Sequence, residues 1–185
     1  LRFIIPDRTQ RLHHKATFDP VVGFGWSLPR EVTMQTVEQI LNNKGSAVWS
    51  IAPDETVFAA LKLMGEKEIG ALTVVENGWL IGIVSERDYA RKVILKGRTS
   101  RDTLVKEIMS APAIVTGLDQ TVEQCMQVMT EKRIRHLPVM DDGRLVGVIS
   151  IGDLVKAVIA EQQFLIEQLE SYITQSPAYA VASVV

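Results

Sequence analysis

Apolar positions recur along this chain with two periods, and the whole pattern occurs twice. Val57, Ala60, Leu61 and Met64 follow the i, i+3, i+4, i+7 spacing of one buried helical face. The spacing predicts a helix opening at Pro53-Asp54, after a short apolar stretch from Val48 to Ala52. A strand from Leu72 to Val75 follows, then Asn77-Gly78, then a second strand from Leu80 to Val84. Asn-Gly tolerates positive φ and favours a tight hairpin. A further helix begins at Ser85. The same order returns with Val122, Cys125, Met126 and Met129 on a helix. Strands from Leu137 to Met140 and from Leu145 to Ile149 then flank Asp142-Gly143, and a helix begins at Ser150.

Residues 48–94 align with 113–159 without a gap, at a constant offset of 65 and with 16 identities in 47 positions. Average composition gives roughly three by chance, so this is an internal repeat. Each copy reads β-α-β-β-α, which places the chain in the α/β (α+β) class with helices packed on small sheets. Beyond the second copy, Val155, Val158, Ile159, Ile166, Leu169 and Ile173 keep a helical spacing and predict one long amphipathic C-terminal helix. It is expected to pack on the module or on a second chain. The predicted organisation is an irregular arm over 1–33, repeat 1 with its linker over 34–110, repeat 2 over 111–160, and C-terminal helix and tail over 161–185. The arm carries Pro6, Pro20 and Pro29 and no sustained period, and the chain opens on Leu1, with Met34 a candidate natural start.

Composition narrows the function classes. The 185 residues are 46% hydrophobic and 23% charged, ordinary for a globular domain. A net charge of −2 provides no overall basic field for nucleic acid. No apolar run approaches the roughly 20 residues needed to span a bilayer, and Leu1 to Ile5 is too short for a secretory signal. The single cysteine, Cys125, cannot form an intrachain disulfide and fits a reducing cytoplasm. On its apolar helical face it reads as an inert buried thiol.

Gly82-Ile83-Val84-Ser85-Glu86-Arg87-Asp88 and Gly147-Val148-Ile149-Ser150-Ile151-Gly152-Asp153 resemble the closing motif of cystathionine β-synthase (CBS) domains, and Arg135-His136-Leu137-Pro138-Val139 resembles that family's middle strand. The resemblance covers about 46 to 160, and the chain is similar to stand-alone bacterial proteins built from one CBS pair. It implies a pseudo-twofold module with two clefts that bind AMP, ADP, ATP, NAD or S-adenosylmethionine, a regulatory role, and a flat homodimer.

Ser-x-x-Asp at a strand-to-helix junction has two compatible readings. Ser85 with Asp88, and Ser150 with Asp153, can close capping boxes. A helix start also offers N–H groups to a phosphate, and an ionised Asp can accept from two ribose hydroxyls. By resemblance, cleft A uses Ile83, Ser85, Arg87 and Asp88, with Ile114, Thr116, Arg135 and His136 opposite. Cleft B uses Val148, Ser150 and Asp153, with Trp49, Ile51, Gly70 and Ala71 opposite. Guanidinium groups suit phosphates. The cleft B equivalents of Arg87, Arg135 and His136 are Gly152, Gly70 and Ala71, so cleft A is expected to hold the phosphorylated ligand more tightly. Each of these residues also has a plainer reading. Arg135 can be a solvated strand charge, His136 a packed side chain, Trp49 a core residue rather than a stacking platform, and the basic linker a solvated loop. A histidine titrating near about 6.5 would make binding pH-sensitive.

Enzyme readings fail on the residues. There is no metal-type Cys/His spacing and no phosphate-binding G-x-x-x-x-G-K-[ST] loop, and Gly23-Phe24-Gly25-Trp26 lacks the third glycine of a dinucleotide fingerprint. The sequence therefore predicts a non-enzymatic sensor that binds an adenine nucleotide, AMP first with NAD or ATP as alternatives, and passes the signal to an unidentified regulated protein. The competing reading is a dimerising interaction protein with no physiological nucleotide.

Overall fold

The structure, a computed structural model, describes residues 35–175, so the arm expected over 1–33 and the end of the tail lie outside the described residues. Helix α1 (Val37–Lys44) opens on a capping box in which Thr36 Oγ accepts from the Gln39 N–H and the Gln39 side chain accepts from the Thr36 N–H. Repeat 1 then runs β1 (Ser50–Ile51), α2 (Val57–Lys67), β2 (Ala71–Glu76), β3 (Trp79–Ser85) and α3 (Glu86–Lys92). Repeat 2 runs α4 (Val122–Lys132), β4 (His136–Asp141), β5 (Arg144–Ser150) and α5 (Ile151–Gln175). Helix α2 starts at Val57, behind a Thr56 cap, because Pro53 to Glu55 form a turn closed by the Glu55 N–H on the Ala52 carbonyl.

The two hairpins match in detail. Strands β2 and β3 pair antiparallel, as do β4 and β5, with an irregularity at Val74/Val75 and again at Val139/Met140. Asn77-Gly78 and Asp142-Gly143 all have positive φ, as the hairpin reading requires. Strand β1 adds to β2 in parallel, but its counterpart in repeat 2 is reduced to a single bridge from Thr116 to Val139.

Each repeat has its own buried cluster, and each cluster takes in a segment from outside the repeat. Val105 and Ile108 of the linker join the core of repeat 1. Val37, Ile40 and Leu41 of α1 join the core of repeat 2. The sequence grouped 34–47 with repeat 1; the apolar side chains of α1 pack into the core of repeat 2. Backbone bonds fix both insertions: Val37 N–H to Gln120 C=O at 2.9 Å and Val122 N–H to Gln35 C=O at 3.0 Å, against Val105 N–H to Glu55 C=O at 2.8 Å and Val57 N–H to Thr103 C=O at 2.9 Å. The repeat identity Gly82/Gly147 has its reason here. A Cβ on Gly82 would lie 2.9 Å from the Ser110 carbonyl oxygen, and one on Gly147 would lie 2.7 Å from Leu41 Cδ1. Each glycine makes room for the incoming segment.

Helix α5 starts at Ile151 and runs unbroken through the boundary expected at 160/161. Leu154 and Ala157 of its first turns are buried in the repeat 2 core. Among the described residues no helix is long and apolar enough to cross a membrane.

Candidate functional site: two clefts between the repeats

Both Ser-x-x-Asp motifs form the boxes that their spacing allows. Ser85 donates to Asp88 Oδ2 through its N–H at 3.0 Å and its hydroxyl at 2.6 Å. Ser150 does the same to Asp153 Oδ2 at 2.7 and 2.9 Å. The expected free helix starts are partly taken: the Glu86 N–H donates to Gly70 C=O, the Ile151 N–H to Arg135 C=O, and the Asp88 and Asp153 N–H groups to their own serines. Each carboxylate keeps a lysine as well. Lys92 Nζ sits 2.8 Å from Asp88 Oδ1, one turn along α3, whereas Lys44 Nζ reaches Asp153 Oδ2 at 2.6 Å from the end of α1.

Two clefts open between the repeats, one at each motif. Cleft A, about 440 Å³, brings together Ile83, Ser85, Arg87 and Asp88 from repeat 1 with Ile114, Arg135 and His136 from beyond the linker. Cleft B, about 300 Å³, brings together Val148, Ser150 and Asp153 with Trp49, Gly70 and Ala71. His136 lines both.

Two expected site residues fall elsewhere. Thr116 lines a separate cavity of about 320 Å³ with Cys125, its Oγ1 3.4 Å from the Cys125 sulfur. Ile51 packs against the core of repeat 1. They are equivalent positions, and the reason is shared. The clefts lie at the starts of the first strands, beside Trp49 and Ile114, and two further residues carry the chain about 6–7 Å onward. Cys125 is buried as expected, and burial pushes its thiol upward against the opposing Thr116 contact.

The charge of the clefts exceeds the sequence expectation on one side and differs from it on the other. Cleft A also gathers Arg91, Lys92, Lys132 and Arg133, so six cationic side chains surround the single carboxylate of Asp88. Arg87 is held across the repeats, its guanidinium donating to Arg133 C=O at 2.7 Å. Cleft B is not free of cations, because Lys44 enters it from α1, but it holds two carboxylates, Glu68 and Asp153. Glu68 and Arg133 are equivalent residues, each the left-handed C-cap of its helix, at φ 53 and 55. One position of the repeat thus carries opposite charges in the two clefts. The aligned pair Glu68/Arg133 was visible in the sequence, although nothing there put helix C-caps at a cleft. Lys44 had no such signal, since α1 lies outside the repeat.

Burial is the main cause holding the His136 imidazole below its ordinary pKa, with Arg135 reinforcing it and Asp153 opposing it. Burial tends to raise the Asp153 carboxyl, but Lys44 and the two Ser150 donors outweigh it and leave it below the usual range. Trp49 is half exposed at the mouth of cleft B, with Lys67 Nζ 4.0 Å above its ring.

Comparison with known proteins agrees with this architecture. The family profile described as CBS domain matches residues 31–94 and 105–160. The mitochondrial CBS domain-containing protein CBSX3 of Arabidopsis thaliana is 40% identical over 148 residues, covering 75% of this chain and 71% of that protein. YhcV, a CBS domain-containing protein of Bacillus subtilis, is 36% identical over 107 residues, covering 58% of this chain and 76% of that protein. Among solved structures, a candidate signal-transduction protein with CBS domains from Burkholderia ambifaria superposes with a TM-score of 0.68 at 52% identity, covering 69% of this chain and 96% of that one. The CBS domain structure NE2398 does so with 0.66 at 48%, covering 68% and 98%.

Proposed function

The chain belongs to the CBS domain family, and from that premise we propose that it is a non-enzymatic regulatory module whose cleft A binds an adenine nucleotide in the cytoplasm. CBS pairs are regulatory ligand-binding modules. The observation that carries the finer reading is the convergence of six cations on one carboxylate in a cleft between the repeats. Guanidinium and ammonium groups at that density suit phosphate oxygens, and Asp88 is an acceptor suited to ribose hydroxyls. Ile83 and Ile114 supply apolar walls for a base.

Cleft B has one lysine against two carboxylates and fits a ligand with less negative charge, beside the Trp49 ring. A ligand that changes the mutual arrangement of the repeats does so only through its differential affinity for the two arrangements, and a regulated protein would read the result.

Thermal unfolding of the full chain with AMP, ATP and NAD tests the reading, since a ligand that binds only the folded state raises the midpoint. A rise with at least one of them, reduced by substituting Asp88, is expected. No rise at millimolar concentrations of any would reject it in favour of an interaction protein with no nucleotide. Mass spectrometry of whatever co-purifies would then identify the ligand.

A further inference from the structure

Helix α5 leaves the core after Val158, and every side chain from Gln162 to Ile173 is exposed. Apart from Phe164, its large apolar residues gather on one face. Val155, Ile159, Gln162, Ile166, Leu169 and Ile173 alternate steps of four and three, which is the a/d register of a heptad. The a positions are Ile159, Ile166 and Ile173, and the d positions are Val155, Gln162 and Leu169. A helix with no buried side chain over three turns is marginal in water, so this segment needs a partner surface.

We propose that the partner is the α5 helix of a second copy of this chain, in a parallel, in-register two-stranded coiled coil seamed by Ile159, Ile166 and Ile173. Three features of the helix identify the occupant. Isoleucine at every a position, with leucine at one of the three d positions, Leu169, favours two parallel strands. Parallel pairing in register sets Gln162 against its own copy, where the two amides satisfy each other. Antiparallel pairing would bury that amide against Ile166. Finally, Leu165 and Tyr172 flank the seam, and seven large exposed apolar side chains on this face bury on the order of 1,200 Å² in total when two helices close. That is the size at which specific interfaces begin. The acidic residues Glu161 and Glu167 fall off the seam, at c and b.

The proposal does not depend on the nucleotide reading. Sedimentation of the full chain is expected to give twice its 20.6 kDa. Single cysteines at the seam then report its geometry, with the native Cys125 buried and silent. Ile159→Cys, Ile166→Cys and Ile173→Cys should each form an interchain disulfide under mild oxidation, and Glu161→Cys and Glu167→Cys should not. Carried into the cysteine variants, the double substitution Ile166→Asp/Leu169→Asp should abolish the interchain disulfides of Ile159→Cys and Ile173→Cys while leaving the wild-type circular dichroism of the repeats. A monomeric wild type would overturn the proposal. So would crosslinks at Glu161 and Glu167 equal to those at the seam, or a double variant whose Ile159→Cys and Ile173→Cys disulfides still form.

Discussion

Cleft A and cleft B are built from one motif in one register, yet they present opposite chemistry. The boxes Ser85/Asp88 and Ser150/Asp153 are nearly superimposable in their bonds, and each carboxylate meets a lysine. Around that common centre, Arg87, Arg133 and Arg135 on one side stand where Gly152, Glu68 and Gly70 stand on the other. The duplication supplies the scaffold twice, and the rim differs between the copies. The fold alone therefore does not distinguish the clefts; the charge of their rims does.

Moving the rim of cleft B into cleft A is the strongest way to break the contrast. Arg133→Glu combined with Arg135→Gly should weaken ATP binding by about 100-fold or more, since charge-assisted bonds contribute about 1.5–3 kcal/mol each. Calorimetry at two salt concentrations checks it, and the salt dependence should fall along with the affinity. A loss under threefold would mean that the cations do not contact the ligand.

The two equivalent glycines sharpen the comparison at the level of packing. Gly82→Ala should destabilise by about 1–3 kcal/mol, the range for overpacking, because the obstructing Ser110 oxygen is backbone. Gly147→Ala should destabilise less, since Leu41 can shift its side-chain end. Denaturant midpoints of the two variants decide the order. Asp88→Asn should then cost AMP about tenfold in affinity at its tightest site, and Asp153→Asn less than twofold. Equal losses would abolish the asymmetry between the clefts.

The smallest effect concerns protons. His136 is held neutral by burial, so its folded pKa lies below its unfolded value. That contribution to stability is present above pH about 6.5 and is lost as the pH falls below it. A phosphate in cleft A pulls the other way and favours the imidazolium. Binding of AMP should therefore take up protons, by about two- to threefold in affinity between pH 8 and 6. Calorimetry in buffers of different ionisation enthalpy reads that uptake, and His136→Asn should remove it.

Most of the fold was legible because its signals are local. Asn77-Gly78 and Asp142-Gly143 specify their turns within two residues, and Val57, Ala60 and Met64 specify a helical face within eight. Helix α1 was not legible. Its apolar set is only Val37, Ile40 and Leu41, and the core that buries them begins some 80 residues later. The site divides in the same way. For Ser85, Asp88, Ser150 and Asp153 spacing alone gave the capping boxes, and the expected cleft role came from the resemblance to the CBS closing motif. Lys44 reaches Asp153 only through tertiary structure, and Ile51 and Thr116 were misplaced because a two-residue strand leaves no alternation from which to judge facing.

The exchanged segments have a consequence for how the molecule can be divided. Leu41 fills the space above Gly147, and Ser110 lies against Gly82, so repeat 1 is completed by the linker that follows it and repeat 2 by a helix from the far side of repeat 1. A fragment cut between the halves would leave α1 without its seat and repeat 2 with an open core. The two copies are thus not interchangeable building blocks: the core of repeat 1 lies wholly between Ile51 and Met109, whereas repeat 2 closes only over α1, which precedes repeat 1 in the chain.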